Sequence, residues 1–303
     1  MNSLSDIVLL GAGAVGILPA AKLLTLTDVK LTAAADCRRI ERYRRDGIFF
    51  NGEKLPLTFI SPAEAEAQFP ADLIIVATKT TALEEALENV APLTGKNTIF
   101  FPVLNGISAP ELISRRFPGN TVLRGFFLGH ASVREGNHIR HDGVGCFFCG
   151  GEAGAVNKLR ELFDRAGIKL EVPADIDHAI WKKFILNVGI NQTQAYFNAD
   201  YGQVQRTPEY LTFCRQLMTE AAAVAAAENI SGTGNMIEEG MKVVLTMPPE
   251  VKTSMLQDVQ SSRPTEIMAF AGTVCAKAAE YGIAVPRNQE VMEEICRRES
   301  FWR

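Results

Sequence analysis

Three observations predict an α/β fold in two parts. Short apolar runs rich in β-forming residues alternate with helical segments through the first half of the 303-residue chain. The first such run leads straight into a G-x-G-x-x-G turn, residues 11–16. Past Pro173 the alternation stops and only helix-like segments follow. The prediction is an N-terminal Rossmann doubly wound sheet over residues 1–172 and a C-terminal all-helical domain over residues 173–303. The length suits it, because single domains cluster at roughly 100–200 residues.

Each element has its own signal. Residues 7–10 read as a buried strand, followed by the glycine turn and a helix to about Leu26. Residues 29–35 form a second strand, and 36–46 a short arginine-rich helix. Residues 72–77 form a third strand and 81–90 a helix. Residues 97–104 form a fourth strand, closed by Asn105-Gly106. Further strands are expected at 121–128, 138–140 and 144–148, with a helix at 155–166. In the second half, helices are expected at 177–197, 208–229, 235–247, 265–281 and 288–297. Pro208 suits a first helical turn, where its missing N–H costs nothing, and Gly282 suits a helix stop.

Composition excludes several classes. The net charge is −4, which argues against nucleic-acid binding, since that needs a basic face to displace counterions. No apolar run reaches the ~18–20 residues of a membrane span. The first residues lack a basic segment followed by an apolar stretch, so no secretory signal is expected. Six cysteines are scattered, which fits a reducing cytoplasm. Cys146 and Cys149 have suggestive spacing, but a zinc site needs a second ligand pair, so inert strand thiols are expected. The four histidines, 130, 138, 141 and 178, also lack ligand spacing, so no metal is expected.

The glycine turn carries the first chemistry. Gly11, Ala12, Gly13, Ala14, Val15 and Gly16 follow a strand and open a helix, the setting a dinucleotide site requires. Gly11 permits the tight turn, Gly13 lets backbone approach a pyrophosphate, and Gly16 lets helix pack on strand. Asp36, twenty residues after Gly16, stands where a carboxylate accepts the ribose hydroxyls of NAD. Arg38 and Arg39 follow at once, and arginine is how such sites hold the 2′-phosphate of NADP. These two arginines should outweigh one carboxylate, so NADP is expected, with NAD the alternative that Asp36 favours.

The helix expected at 177–197 carries the second signal. Lys183, Asn187 and Asn191 fall at i, i+4 and i+8, on one face, while Ile180, Phe184, Ile185, Val188 and Ile190 cover others. Asparagine is a poor helix former, so two in one stripe suggest a row of polar groups lining a cleft. An ordinary exposed stripe is the competing reading.

With these residues in view, nearly the whole chain resembles the ketopantoate reductases (2-dehydropantoate 2-reductases). The glycine turn matches, as does the strand ending in a lysine at 74–79, and the Asn105-Gly106-Ile107 turn. Trp181-Lys182-Lys183 followed by Asn187 and Asn191 is similar to the family's W-x-K-x-x-x-N-x-x-x-N helix. Residues 254–258, 265–267 and 282–286 resemble its S-M-L-Q-D, T-E-I and G-I-x-x-P segments. The resemblance implies NADPH-dependent reduction of 2-dehydropantoate to (R)-pantoate, on the route to pantothenate and coenzyme A. It implies that Lys183 and Glu266 are catalytic, Glu266 also anchoring a substrate hydroxyl. Asn105, Asn187, Asn191 and Ser254 would hold substrate, and Lys79 and Asn105 would meet the cofactor. The implied partner is a small 2-oxo acid, and oligomeric state, a homodimer included, is not legible. Two positions depart from the family pattern: Asp36 where many members have arginine, and Tyr201, in an expected substrate-side loop, where some have asparagine. A reductase of another branched 2-oxo acid is the nearest alternative. A non-catalytic dinucleotide sensor is the more distant one, since Lys183 and Glu266 are both present.

Overall fold

A computed structural model of the chain describes residues 3–65, 70–129 and 133–302. The chain divides into two compact units, Met1–Ile176 and Asp177–Arg303. The division falls a few residues beyond the 172/173 boundary expected from the sequence.

The first unit is built on a six-stranded sheet. Its order is Thr58–Ile60, Lys30–Ala34, Asp6–Leu10, Ala71–Val76, Thr94–Pro102, Thr121–Val122. Every neighbouring pair is parallel. Burial explains the apolar runs. Ile7, Leu9, Leu73, Ile75 and Phe101 enter one core, and Val8, Leu10, Ile74, Val76 and Phe100 enter another. Alternate side chains point to opposite faces, so a strand covered on both faces must be apolar throughout. The strand order reverses direction between Asp6–Leu10 and Ala71–Val76. That reversal opens a crevice at the carboxyl ends of the two strands, the usual ligand position in such sheets.

Several expectations need correction. The strand expected at 121–128 is two strands: Thr121–Val122 closes the main sheet, and Arg124–Gly129 joins a separate three-stranded sheet with Gly145–Gly150 and Leu170–Glu171. Gly125 makes this possible, because a Cβ there would meet Phe101 at 2.4 Å and the Phe148 carbonyl at 2.6 Å. The edge strand Thr58–Ile60 and the helix Ala109–Arg116 were not foreseen; both are short and carry weak periodic signals. The strand His138–Arg140 pairs with Val133–Glu135 and with Phe49–Phe50, outside the main sheet.

The second unit is helical: Tyr201–Arg206, Pro208–Ala227, Thr233–Thr246, Ser254–Gln260, Ala271–Tyr281 and Pro286–Glu299 follow the long helix Ile176–Phe197, which begins at the boundary. The helix expected at 265–281 is broken. Thr265 uses its hydroxyl to accept the Ile267 N–H at 3.2 Å, a single 3₁₀ turn follows over Ile267–Ala269, and the α-helix starts only at Ala271. Side-chain bonding of this kind competes with helix continuation. Tyr201 is likewise not in a loop. It opens the helix Tyr201–Arg206, whose start is fixed by a reciprocal capping box between Asp200 and Gln203. Among the described residues, no helix is long and apolar enough to cross a membrane.

The glycines give a direct test of packing. A Cβ on Gly16 would lie 2.1 Å from the Gly11 carbonyl oxygen and 2.9 Å from Ala77 Cβ. Gly16→Ala should therefore destabilise the protein by about 1–3 kcal/mol, the usual cost of overpacking. Gly234 is exposed near the start of Thr233–Thr246, and its Cβ position is open space. Gly234→Ala should stabilise by roughly 0.4–1 kcal/mol. Paired denaturant melts check both signs, and a neutral Gly16→Ala would refute the close-contact account.

Candidate active site

The glycine turn sits where the main strand order reverses. Gly11 has φ +107°, a conformation that side-chain-bearing residues rarely adopt. A Cβ there would stand 2.6–2.7 Å from the backbone of Ala77 and Thr78. Backbone thus passes against backbone, and only glycine fits. Gly13 is the N-cap of the helix Ala14–Leu23, so no side chain caps that end. The first turn, Ala14 and Val15, is half-exposed. Its N–H groups and the positive end of the helix dipole are suited to an anion.

Asp36 N-caps the next helix, Cys37–Asp46. Its Oδ1 accepts the Arg39 backbone N–H at 2.8 Å, and its Oδ2 lies 3.3 Å from Arg39 Nε. The carboxylate is therefore committed at both oxygens. Arg38 and Arg39 are exposed, and Arg39 also lines a cavity with Gly11, Ala12, Tyr43, Phe59 and Thr78. Thr78 Oγ1 is buried there with no hydrogen-bond partner. Tyr43 and Thr78 were missed in the sequence. Tyr43 had a faint signal, four residues after Arg39 on the same helix face, and Thr78 had none.

Lys79 is exposed and stands at the N-cap position of the turn Thr80–Ala82. Thr80 Oγ1 donates to the Asn105 carbonyl at 3.0 Å, so Lys79 and Asn105 are drawn to the same edge of the first unit. Gly106, with φ +87°, turns the chain immediately after Asn105.

In the second unit, Lys183, Asn187 and Asn191 lie on the helix Ile176–Phe197, Lys183 and Asn187 half-buried and Asn191 only 7% exposed. The exposed-stripe reading is thereby set aside. Lys182, the neighbouring lysine, instead pairs with Glu239. Burial pushes the Lys183 ammonium down to about 8, while the Glu266 carboxylate pulls the other way. The fold thus brings Lys183 and Glu266 into electrostatic range across 83 residues of chain (266 − 183). Glu266 is half-buried just ahead of the Ile267–Ala269 turn.

Ser254 opens the helix Ser254–Gln260 and is exposed. Gln194, fully buried, accepts the Thr253 N–H at 2.8 Å and so ties the start of that helix to the Lys183 helix. Sequence reasoning missed Gln194, although it lies three residues past Asn191 on nearly the same helix face. Among the described residues, no group of three or more His, Cys, Asp or Glu is placed to hold a metal ion, and His130 lies outside them. Cys146 and Cys149 sit on Gly145–Gly150 as free thiols.

The chain matches known proteins over nearly its full length. Residues 7–151 match the family described as ketopantoate reductase PanE/ApbA, and residues 175–299 match its C-terminal counterpart. A 2-dehydropantoate 2-reductase of Vibrio cholerae is 28% identical over 304 residues, covering 98% of this chain and 99% of that protein. A D-mandelate dehydrogenase solved with NADH and anilino(oxo)acetate shares the fold at TM-score 0.87 and 22% identity, over 98% of each chain. A dimeric ketopantoate reductase from Staphylococcus aureus does so at TM-score 0.81 and 22% identity, over 98% of this chain and 99% of that one.

The Lys183 environment has a thermodynamic signature. Its folded pKa is lowered from 10.5 to about 8, so between those values the unfolded chain binds more protons than the folded one. Stability from this group is full above 10.5 and is lost as pH falls through about 8. The stability difference between wild type and Lys183→Met should therefore shift in favour of wild type as pH rises from 8 to 10.5. Denaturant titrations of both proteins across that range measure it, and a flat difference would mean the ammonium is not desolvated.

Proposed function

Because the chain belongs to the ketopantoate reductase (PanE/ApbA) family of oxidoreductases, we propose that it reduces 2-dehydropantoate to (R)-pantoate with NADPH, in the cytoplasm, on the route to pantothenate and coenzyme A. The observation that carries this reading is the lowered pKa of Lys183 beside Glu266. A lysine near 8 keeps a proton at neutral pH yet gives it up more readily than a solvated one.

We assign dinucleotide binding to the first domain, residues 1–172, and substrate binding with acid catalysis to residues 173–303. The cradle fits a nicotinamide dinucleotide: Gly11 admits backbone to the close approach, the uncapped helix start suits a pyrophosphate, and Thr78 offers a buried, unpartnered hydroxyl. Gly11, Ala12, Gly13, Ala14, Val15 and Gly16 would hold the phosphates, with Lys79 and Asn105 toward the nicotinamide. When bound, the dinucleotide supplies a hydride. Lys183 then stabilises the developing alkoxide and donates its proton to that oxygen. Asn105, Asn187, Asn191 and Ser254 bind the substrate's carboxylate and hydroxyl as neutral donors, which adds no charge to disturb Lys183. Glu266 anchors the substrate hydroxyl.

NADPH is favoured because both Asp36 oxygens are engaged with Arg39, so the carboxylate's charge is compensated where a 2′-phosphate would approach. Arg38 and Arg39 then present net positive charge at a helix start. NADH is the second reading, supported by the placement of Asp36 itself at the end of the second strand. Another branched 2-oxo acid is the alternative substrate. A homodimer is proposed on the likeness to the dimeric Staphylococcus aureus protein.

Steady-state oxidation of NADPH and NADH with 2-dehydropantoate and other 2-oxo acids tests the assignment. Lys183→Ala should lower turnover by ~10²–10⁴-fold, the usual worth of a positioned acid. Wild-type turnover should fall as pH rises through about 8, where Lys183 loses its proton. A loss in Lys182→Ala with Lys183→Ala unaffected would move the role to the neighbouring lysine. For the cofactor, Arg38→Ala or Arg39→Ala should abolish the NADPH preference, whereas a wild-type preference for NADH would show that Asp36 dominates.

A further inference from the structure

Arg134 belongs to none of the motifs read from the sequence, yet it is tied to the glycine turn. It lies on the strand Val133–Glu135, paired antiparallel with His138–Arg140. Its Nε donates to the Gly136 carbonyl at 2.9 Å, which fixes the plane of the guanidinium. Its Nη1 donates to the Ala12 carbonyl at 3.1 Å, 122 residues away in the chain. The guanidinium also stands close enough to the Tyr43 hydroxyl to influence its titration. Burial by itself would raise the Tyr43 pKa, but the neighbouring Arg134 and Arg42 guanidinium groups override it and lower it.

The position of the charge is informative. Nη1 lies 3.9 Å from where a Cβ on Gly13 would stand, beside the start of the helix Ala14–Leu23. A helix N-terminus carries partial positive charge and disfavours a cation next to it. The two bonds just named go to neutral carbonyl oxygens, and they use two of the five N–H donors of an arginine. A guanidinium held rigid against a positive helix end is electrostatically costly alone, and becomes favourable once an anion bridges the two.

We propose that Arg134 is a phosphate ligand of the dinucleotide site, clamping the glycine turn through Ala12 and presenting its guanidinium to the pyrophosphate over Gly13. This rests on the dinucleotide-binding reading above. The pyrophosphate is chosen over a 2′-phosphate because Arg134 is anchored at the glycine turn, whereas Asp36, Arg38 and Arg39 stand at the start of the next helix.

Calorimetric titration of the full-length protein with NADPH, NADH and adenosine, for wild type, Arg134→Gln and Arg134→Lys, tests it. Arg134→Gln should weaken both dinucleotides by about 10- to 100-fold, the usual worth of bonds to a charged group, and leave adenosine affinity unchanged. Arg134→Lys, which keeps the charge, should recover part of the loss. An equal loss for adenosine would make Arg134 only a brace for the turn, and a loss confined to NADPH would place it at the 2′-phosphate; either overturns the proposal. Unchanged dinucleotide binding in Arg134→Gln would overturn it while leaving the dinucleotide reading intact. A wild-type protein that binds neither dinucleotide would remove that reading and this proposal with it.

Discussion

At Gly11 the backbone passes so close to the backbone of Ala77 and Thr78 that a single added carbon would stand 2.6 Å from a carbonyl carbon. Much of the first unit depends on that approach. It lets the chain leave one central strand, turn sharply and begin a helix beside its parallel neighbour. Gly16 completes the arrangement one helical turn later by lying against the Gly11 carbonyl and Ala77. The close backbone approach beside the crevice and the uncapped helix start follow from three residues that lack side chains, Gly11, Gly13 and Gly16.

In the second unit the corresponding constraint is electrostatic. A lysine on a helix whose remaining faces are largely buried is desolvated, and its ammonium is disfavoured accordingly. Glu266 opposes that effect without cancelling it. The interruption between Thr265 and Ala271 matters here. A continuous helix would carry Glu266 along a fixed helical path, whereas the Thr265 hydroxyl and the 3₁₀ turn set it on an irregular segment. Gln194 makes a similar link, joining the Lys183 helix to the backbone just ahead of Ser254. Local breaks in regular structure thus hold the residues whose chemistry is of interest, a common place for strain and function to coincide.

The legibility of these features varied with their origin. The apolar strands at 7–10 and 72–77 were plain, because burial on both faces leaves only Asp72, at the start of the second run, polar. The edge strand Thr58–Ile60 was not, since an edge strand of three residues has one covered side and no period long enough to recognise. Residues 121–128 read as one strand because β-forming residues flank Arg124-Gly125 on both sides, and only the close contacts of Gly125 with Phe101 and Phe148 reveal that the chain changes sheets.

The sequence by itself determined the glycine turn, the change from alternating to all-helical texture and the polar stripe at Lys183, Asn187 and Asn191. Each of these is periodic or compact in sequence, so its physics is local. Tertiary structure alone decided that Asp36 is committed to Arg39, that Lys183 lies near Glu266, and that Arg134 reaches Ala12. The last two join residues far apart in the chain, and the first depends on how one side chain is turned. Such contacts leave no spacing in a sequence, because the distances that create them exist only once the strands and helices have packed.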